Sequence, residues 1–363
     1  MKISIIVPVY NVAPYIAACL QSVMHQTCQD ALECILVDDC GTDNSMEVVG
    51  EMLQSYEGPV GFKVVHHTQN RGLSAARNTG MAEATGDYVY FLDSDDEITP
   101  DCIQRLATPL QQEAFDMVVG ECRIEGGSIP GVALRLPGGT ILRGKEILHA
   151  YRLQQWYMMS VNKLYRLDFL RHNALQFKEG ILHEDELWSF QLACLAQSMT
   201  IISAETYIYK LRQGSITEHT LSPRHITSLN TILAEMSSFA QTHALAGNSD
   251  VHNIIRNFQL AVLHRASHWG KATGRRAMLG NLAHCAPSNG EAEDCAQGPV
   301  TSEKPLCLIY RQQRLQMHSS WLNCLSLNGT DIKKQLRDLH LALPIPLAIP
   351  YLKLLLKYYQ RQC

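Results

Sequence analysis

Several things are scarce in this chain of 363 residues, and each scarcity excludes a class of protein. Neither charge sign dominates: 31 Lys and Arg stand against 35 Asp and Glu, a net charge of -4. No long run of Lys or Arg occurs, so the basic face that binding to nucleic acid requires is missing and no such partner is expected. Long apolar runs are missing too. The nearest, Leu341 to Leu352, is interrupted by Pro344, Pro346 and Pro350 and falls short of the roughly 18 residues of a membrane-crossing helix. Cysteine is thinly spread, 12 in the chain without one C-x-x-C pair. Cys34 and Cys194 lie within apolar runs, where a thiol packs as a small hydrophobe, so reduced thiols are expected rather than a disulfide framework or a structural zinc. The opening MKISIIVPVYNV carries no small-residue cleavage site and reads as a first strand, which predicts a cytoplasmic protein.

Signature loops are absent as well. A dinucleotide site places G-x-G-x-x-G after the first strand, where Pro8, Val9, Tyr10 and Asn11 stand instead, and there is no Walker loop. A nucleotidyltransferase would carry a Gly-rich, Lys- or Arg-bearing loop at that same point. His183 and Glu184 begin an H-E-x-x-H, but Leu187 occupies the second histidine position, which removes the zinc-protease reading.

What is there is a core-forming composition, 46% hydrophobic, with a length that suggests about two domains. Over the first 125 residues, short runs rich in Val and Ile (Ile3 to Val9, Cys34 to Val37, Phe62 to Val65, Tyr88 to Leu92, Met117 to Val119) alternate with helical spacing. Val12, Ile16, Leu20 and Val23 fall on one helix face after a candidate cap at Asn11, and Ser45 to Tyr56 forms a second helix opened by Asp43 or Ser45. This is the rhythm of a parallel α/β sheet with helices on both faces.

Ligands of such sheets sit beyond the carboxyl ends of the strands. Those ends are acidic here: the second run leads into Asp38 and Asp39, the fourth into Asp93, Ser94, Asp95 and Asp96. Two acidic clusters at one sheet edge repel unless a cation lies between them, and a divalent metal carrying phosphates is the economical answer. Residues 125 to 180, with Gly126, Gly127, Gly131, Gly138 and Gly139, read as a loop-rich crossing before a helical stretch from Ile181 to Gln197. Helical patterns follow over His225 to His243, Val251 to Lys271 and Asp331 to Leu343, with a flexible Pro-, Gly- and Ser-rich loop at about 285–305.

The segments SIIVPVYNVAPYIAACLQSVMHQT, ILVDDCGTDNS, NRGLSAARNTGMAEATGDYVYFLDSDD, NKLYR and EGILHEDELW, in that order, resemble the family 2 glycosyltransferases, inverting enzymes with the GT-A fold, often of bacterial surface-polysaccharide assembly. The resemblance covers residues 3 to 100 closely and 160 to 217 in part. It implies a GT-A domain at 1–220, a Rossmann-like nucleotide-binding mixed sheet flanked by helices, and a helical C-terminal region at 221–363. It also implies transfer of a sugar from a nucleotide diphosphate sugar, a UDP-sugar first of all, to a glycan or lipid-linked acceptor. A non-catalytic glycan-binding or assembly protein on a transferase scaffold is the alternative.

Carried over residue by residue, Pro8, Val9 and Tyr10 line the nucleoside pocket, and Asp39 accepts a hydrogen bond from the base, with Asp38 as its rival. Asn70 faces the nucleotide. Arg77 either holds Asp95 or Asp96 in place or reaches the diphosphate. Asp93, Ser94 and Asp95 form the D-x-D, whose Asp93 and Asp95 hold Mn²⁺ or Mg²⁺. Hard carboxylate oxygens suit those ions. Asp185 is the general base, although Glu184 and Glu186 are alternatives because any helix N-terminus favours acids. Trp188 stacks on a sugar or packs in the core. Arg212 or Lys210 clamps the diphosphate, near Tyr209, Ser215 and Thr217, and His219 is a further candidate for the metal. The tail, with Leu347, Ile349 and Leu352 to Leu356 interleaved with Lys353, Lys357 and Arg361 beside Tyr351, Tyr358 and Tyr359, suits peripheral contact with the inner face of a membrane.

Overall fold

A computed structural model describes residues 1–128, 132–211 and 222–272 (side chains of 264 and 266–272 excepted), with 348, 350–352 and 354. The chain forms two units, Met1–Glu218 and His219–Cys363.

In the first unit the strands are β1 (Lys2–Val9), β2 (Ala31–Asp38), β3 (Gly61–His66), β4 (Tyr88–Phe91), β5 (Glu97–Ile98), β6 (Met117–Glu125), β7 (Ile141–Arg143), β8 (Lys163–Arg166) and β9 (Ser198–Lys210). The helices are α1 (Ile16–Met24), α2 (Ser45–Gln54), α3 (Leu73–Glu83), α4 (Cys102–Ala107), α5 (Lys145–Arg152), α6 (Leu167–His172) and α7 (Glu184–Leu195). Among the described residues the strands join in one sheet ordered β3-β2-β1-β4-β8-β6-β9-β5, with β7 on β9. The first four strands are parallel, and β8 enters antiparallel between β4 and β6. The chain leaves β1 toward β2 and β3, then returns to its other side as β4, and this reversal opens the crevice at the carboxyl ends of β1, β2 and β4.

Central strands covered on both faces need continuous apolar runs, and Ile3, Ile5, Ile6, Val7 and Val9 of β1 are all buried. Each such side chain stabilises the fold by about 1.5–3 kcal/mol. Helix α3 lies against this layer because Ala75, Ala76 and Gly80 are small: a Cβ on Gly80 would stand 2.3 Å from Cγ2 of Ile6. The stretch expected to be loop-rich, 125 to 180, instead holds β7, α5, β8 and α6. Asn11 does not cap α1. It takes φ 52°, and its Oδ1 accepts the Thr42 N–H at 2.7 Å, while the Val12 N–H donates to Ser45 Oγ at 2.9 Å. These bonds join the two turns that follow β1 and β2.

In the second unit α8 (Pro223–Thr242) packs on α9 (Ser249–Ala272), and Leu229, Leu233 and Met236 of α8 are buried. Ser222 caps α8, with Pro223 at its first position and His225 closing the box. The expected loop at 285–305, the helix Asp331 to Leu343 and most of the tail lie outside the described residues. Among the described residues no helix is long and apolar enough to cross a membrane. The described cysteines, among them buried Cys19, Cys34 and Cys102 and exposed Cys40, are free thiols.

Candidate active site

Pro8 and Val9 end β1 buried, and Tyr10 projects with 46% of its surface exposed. Beside them β2 delivers two carboxylates with different environments. Asp38 accepts the Cys40 N–H at 3.1 Å and lies 2.9 Å from His66 Nδ1. Asp39 is buried and ties down the turn before α3. Its Oδ1 accepts the Arg71 N–H at 2.8 Å and lies 2.6 Å from His67 Nδ1, while its Oδ2 accepts from Asn70 Nδ2 at 3.0 Å and from the Gly72 N–H at 2.7 Å. Gly72 adopts φ 88°, a conformation that only glycine takes without strain. An ionised carboxylate offers about four acceptor positions, and these partners occupy them. The exposed Arg71 side chain pairs with Glu179 at 3.2 Å, joining this turn to the segment that leads into α7.

At the end of β4, burial alternates along the acidic turn: Asp93 and Asp95 are half-buried, Ser94 and Asp96 buried. The Asp96 carboxyl is pushed up to about 8, by burial first and then by the neighbouring Asp93 and Asp95, although the Lys210 N–H and the Tyr207 hydroxyl act the other way. Within the acidic turn Arg77 holds Asp93. Buried on α3, it donates from Nη2 to Asp93 Oδ1 at 2.8 Å, and from Nη1 to Glu184 Oε1 at 2.8 Å and Asp185 Oδ1 at 3.3 Å. Its guanidinium also lies 5.2 Å from the centre of the Phe177 ring. Burial opposes this charge, yet Asp93, Asp185 and Glu184 together hold its pKa above the ordinary value. With 2% of its side chain exposed, Arg77 stands behind the carboxylates rather than among groups open to a diphosphate.

The first turn of α7 supplies Glu184, Asp185 and Glu186, as the positive end of a helix favours. His183 precedes them at φ 62°, an uncommon conformation for a residue with a side chain. Glu184 faces inward and is buried, and burial, joined by the Asp185 charge, raises its pKa against the pull of Arg77. Asp185 keeps a quarter of its side chain open, at 25%. Trp188 is core: it stacks on Phe177 at 4.1 Å and meets Phe91 and Tyr165 edge-on. The Lys210 N–H donates to Asp96 Oδ1 at 2.9 Å and its ammonium pairs with Glu97. Arg212, Ser215, Thr217 and His219 lie outside the described residues.

Glu184, Tyr207 and His67 have contacts that sequence reasoning did not assign. The HEDELW run named the first. The other two carried no signal of their own, since one Tyr of the Tyr207 and Tyr209 pair in a strand and one His of His66-His67 after a strand are ordinary choices. Among the described residues no cluster of three or more His, Cys, Asp or Glu forms a metal cage. The half-buried carboxylates of Asp93 and Asp95 still fit Mg²⁺ or Mn²⁺, because such ions are commonly held by one or two carboxylates with substrate phosphates completing the shell.

The site thus consists of a mixed sheet whose parallel half ends in an acidic turn, linked through Arg77 to a carboxylate-tipped helix. The description Glycosyl transferase family 2 matches residues 4–173. The uncharacterized glycosyltransferase EpsJ of Bacillus subtilis (strain 168) is 32% identical over 270 residues, 72% of this chain and 76% of EpsJ. This chain therefore belongs to glycosyl transferase family 2. The poly(ribitol-phosphate) beta-N-acetylglucosaminyltransferase TarS of Staphylococcus aureus (strain MW2) is 28% identical over 219 residues, 59% of this chain but 36% of TarS. The crystal structure of S. aureus TarS 1-349 in complex with UDP-GlcNAc superposes with a TM-score of 0.60 at 21% identity, covering 94% of this chain and 90% of that one, a likeness of fold.

Proposed function

We propose that this chain is an inverting glycosyltransferase that moves a sugar from a nucleotide diphosphate sugar, a UDP-sugar first of all, to a hydroxyl of a glycan or lipid-linked acceptor. The observation that carries the reading is the convergence of Asp93, Glu184 and Asp185 on one buried guanidinium at the carboxyl ends of the strands. The binding of UDP-GlcNAc by TarS supports a uridine nucleotide, and the poly(ribitol-phosphate) in that enzyme's name supports a polymeric, hydroxyl-bearing acceptor.

In this reading Asp185 accepts the proton of the acceptor hydroxyl. The hydroxyl oxygen bonds to the anomeric carbon as the bond from that carbon to the diphosphate oxygen breaks, in one in-line displacement. Arg77 fixes Asp185 relative to Asp93, and Glu184, buried, orients Arg77 by accepting from the same Nη1 that serves Asp185. A divalent cation held by Asp93 and Asp95 would offset the charge that grows on the departing diphosphate. Pro8, Val9, Tyr10 and Asp38 border the nucleoside, and Asp39 shapes its pocket by tying Asn70 and Gly72. Ser94 adjoins the phosphates, with Arg212 as their clamp. Residues 1–220 form the transferase domain and 221–363 a helical region. The chain acts in the cytoplasm, the tail touching the inner face of the membrane.

A screen of nucleotide sugars for hydrolysis with and without Mn²⁺ or Mg²⁺ tests this. Turnover of one donor only with metal is expected. Absence of hydrolysis and of binding for every donor would leave a non-catalytic scaffold as the better account.

A further inference from the structure

Tyr207 lies on β9 with no exposed surface, and its hydroxyl is engaged at both ends. It donates to Asp96 Oδ2 at 2.7 Å and accepts the Asp93 N–H at 3.3 Å. The turn closes on itself through the Asp96 N–H, which donates to the Asp93 carbonyl at 3.0 Å. Asp96 then reaches further along β9, accepting the Lys210 N–H on its other oxygen at 2.9 Å. Immediately after the turn, β5 pairs with β9, Glu97 against Ile208 and Ile98 against Tyr207. One phenol thus bridges the first and last residues of the acidic turn and anchors both to a strand from the far end of the sheet.

Packing alone does not require this oxygen. Phenylalanine fills the same volume, but it would leave the Asp93 N–H and an oxygen of the buried Asp96 without their partner. We infer that Tyr207 is a positioning residue for the cation site: through Asp93 and Asp96 it sets where the Asp93 and Asp95 carboxylates stand relative to each other. This rests on the proposed reading of the turn as the site of the metal and diphosphate. The outer contact matters because Mg²⁺ demands near-octahedral geometry at about 2.0–2.1 Å, which leaves little tolerance for a turn that shifts.

The test uses the full chain and two variants, Tyr207→Phe and Tyr90→Phe. Tyr90 is a control matched in burial: its hydroxyl lies 3.4 Å from Asn162 Oδ1 and from the Cys102 thiol, with no bond to the turn. Mn²⁺ affinity is measured by calorimetry with UDP present, and amide hydrogen exchange is followed at residues 92–96. Tyr207→Phe is expected to weaken Mn²⁺ binding about 10- to 100-fold and to speed exchange of the Asp93 amide. Tyr90→Phe is expected to leave both within about twofold. Should Tyr207→Phe not fold, Asp96→Asn carries the same expectation against the same control.

A folded Tyr207→Phe with unchanged Mn²⁺ affinity overturns the inference while leaving the proposed function intact. Equal losses in Tyr207→Phe and Tyr90→Phe overturn it too, since any buried hydroxyl would then do. If the wild-type chain binds no Mn²⁺ even with UDP, the reading of the turn fails and the inference falls with it.

Discussion

Arg77 Nη1 donates to Glu184 Oε1 at 2.8 Å, joining residues 107 positions apart in the chain. The same guanidinium serves Asp93 and Asp185, so one planar fork sets the spacing between the acidic turn after β4 and the first turn of α7. The pair organises the site because burial disfavours the Glu184 charge and the Arg77 guanidinium pulls in the opposite direction.

Arg77→Met should therefore destabilise the fold by about 3–5 kcal/mol, the cost of leaving buried carboxylates without their cation. Arg77→Lys keeps the charge but cannot span Asp93 and Glu184 together, so it should recover only part of the loss. Urea unfolding followed by circular dichroism measures both, and a Lys variant as stable as wild type would show that the fork geometry is dispensable.

Asp185→Asn keeps the shape of the side chain and removes its capacity to take a proton. Sugar transfer should fall about 10²- to 10⁴-fold while donor affinity, read by calorimetry with Mn²⁺, stays near wild type. Glu184→Gln and Glu186→Gln are made alongside. Transfer that survives in Asp185→Asn and disappears in either of the others would assign the base to a different carboxylate.

Asp95→Asn removes one of the two carboxylates proposed to hold the cation. Turnover of the donor should drop at least about 100-fold, on the order of 3 kcal/mol in the barrier. Full wild-type turnover in chelator would refute the role given to this turn.

Lys163 is buried on β8 with its ammonium donating to the Met159 carbonyl and lying 4.0 Å from the centre of the Tyr157 ring. Burial pulls its pKa down to about 7, against Cys122 and Asp185, which act upward. Between that value and an ordinary lysine pKa of about 10.4, the unfolded chain binds more protons than the folded one, so this group makes stability rise with pH. Lys163→Met should accordingly gain most over wild type below pH 7, on the order of 2 kcal/mol, with the gain shrinking toward pH 10. Urea midpoints at pH 6, 8 and 10 check this; a difference independent of pH would mean that Lys163 does not titrate there.

Gly80→Ala adds a methyl group where Ile6 Cγ2 stands only 2.3 Å from the new atom. A loss of about 1–3 kcal/mol is expected, although alanine is the better helix former, because the helix must lift from β1. Thermal unfolding of the variant reads the sign.

The parallel half of the sheet was legible because β1, β2 and β4 are apolar runs that end at polar or acidic turns. Residues 125–180 were not, because β7 and α6 are too short to show a period and their glycines read as loop. The candidate residues themselves stood out as acids at strand ends. Which of them meet did not: periodicity reports the face of an element, and it holds no information about a contact between α3 and α7. Asn11 misled for a related reason, since an Asn before a helical pattern serves equally well to hold a neighbouring turn.

The pairing of β5 with β9 also bears on how the protein comes into being. A ribosome delivers Arg77, Asp93 and Asp96 first, at about 5–20 residues per second, so the strand that carries Tyr207 follows only after on the order of ten seconds. During that interval the parallel strands can pair while the acidic turn has neither its phenol nor its opposing helix. A nascent chain at that stage has the crevice in outline and no organised site. Its competence arrives together with the last strand of the described sheet, and fragments ending before residue 198 should be inert toward sugar nucleotides however well they hold together.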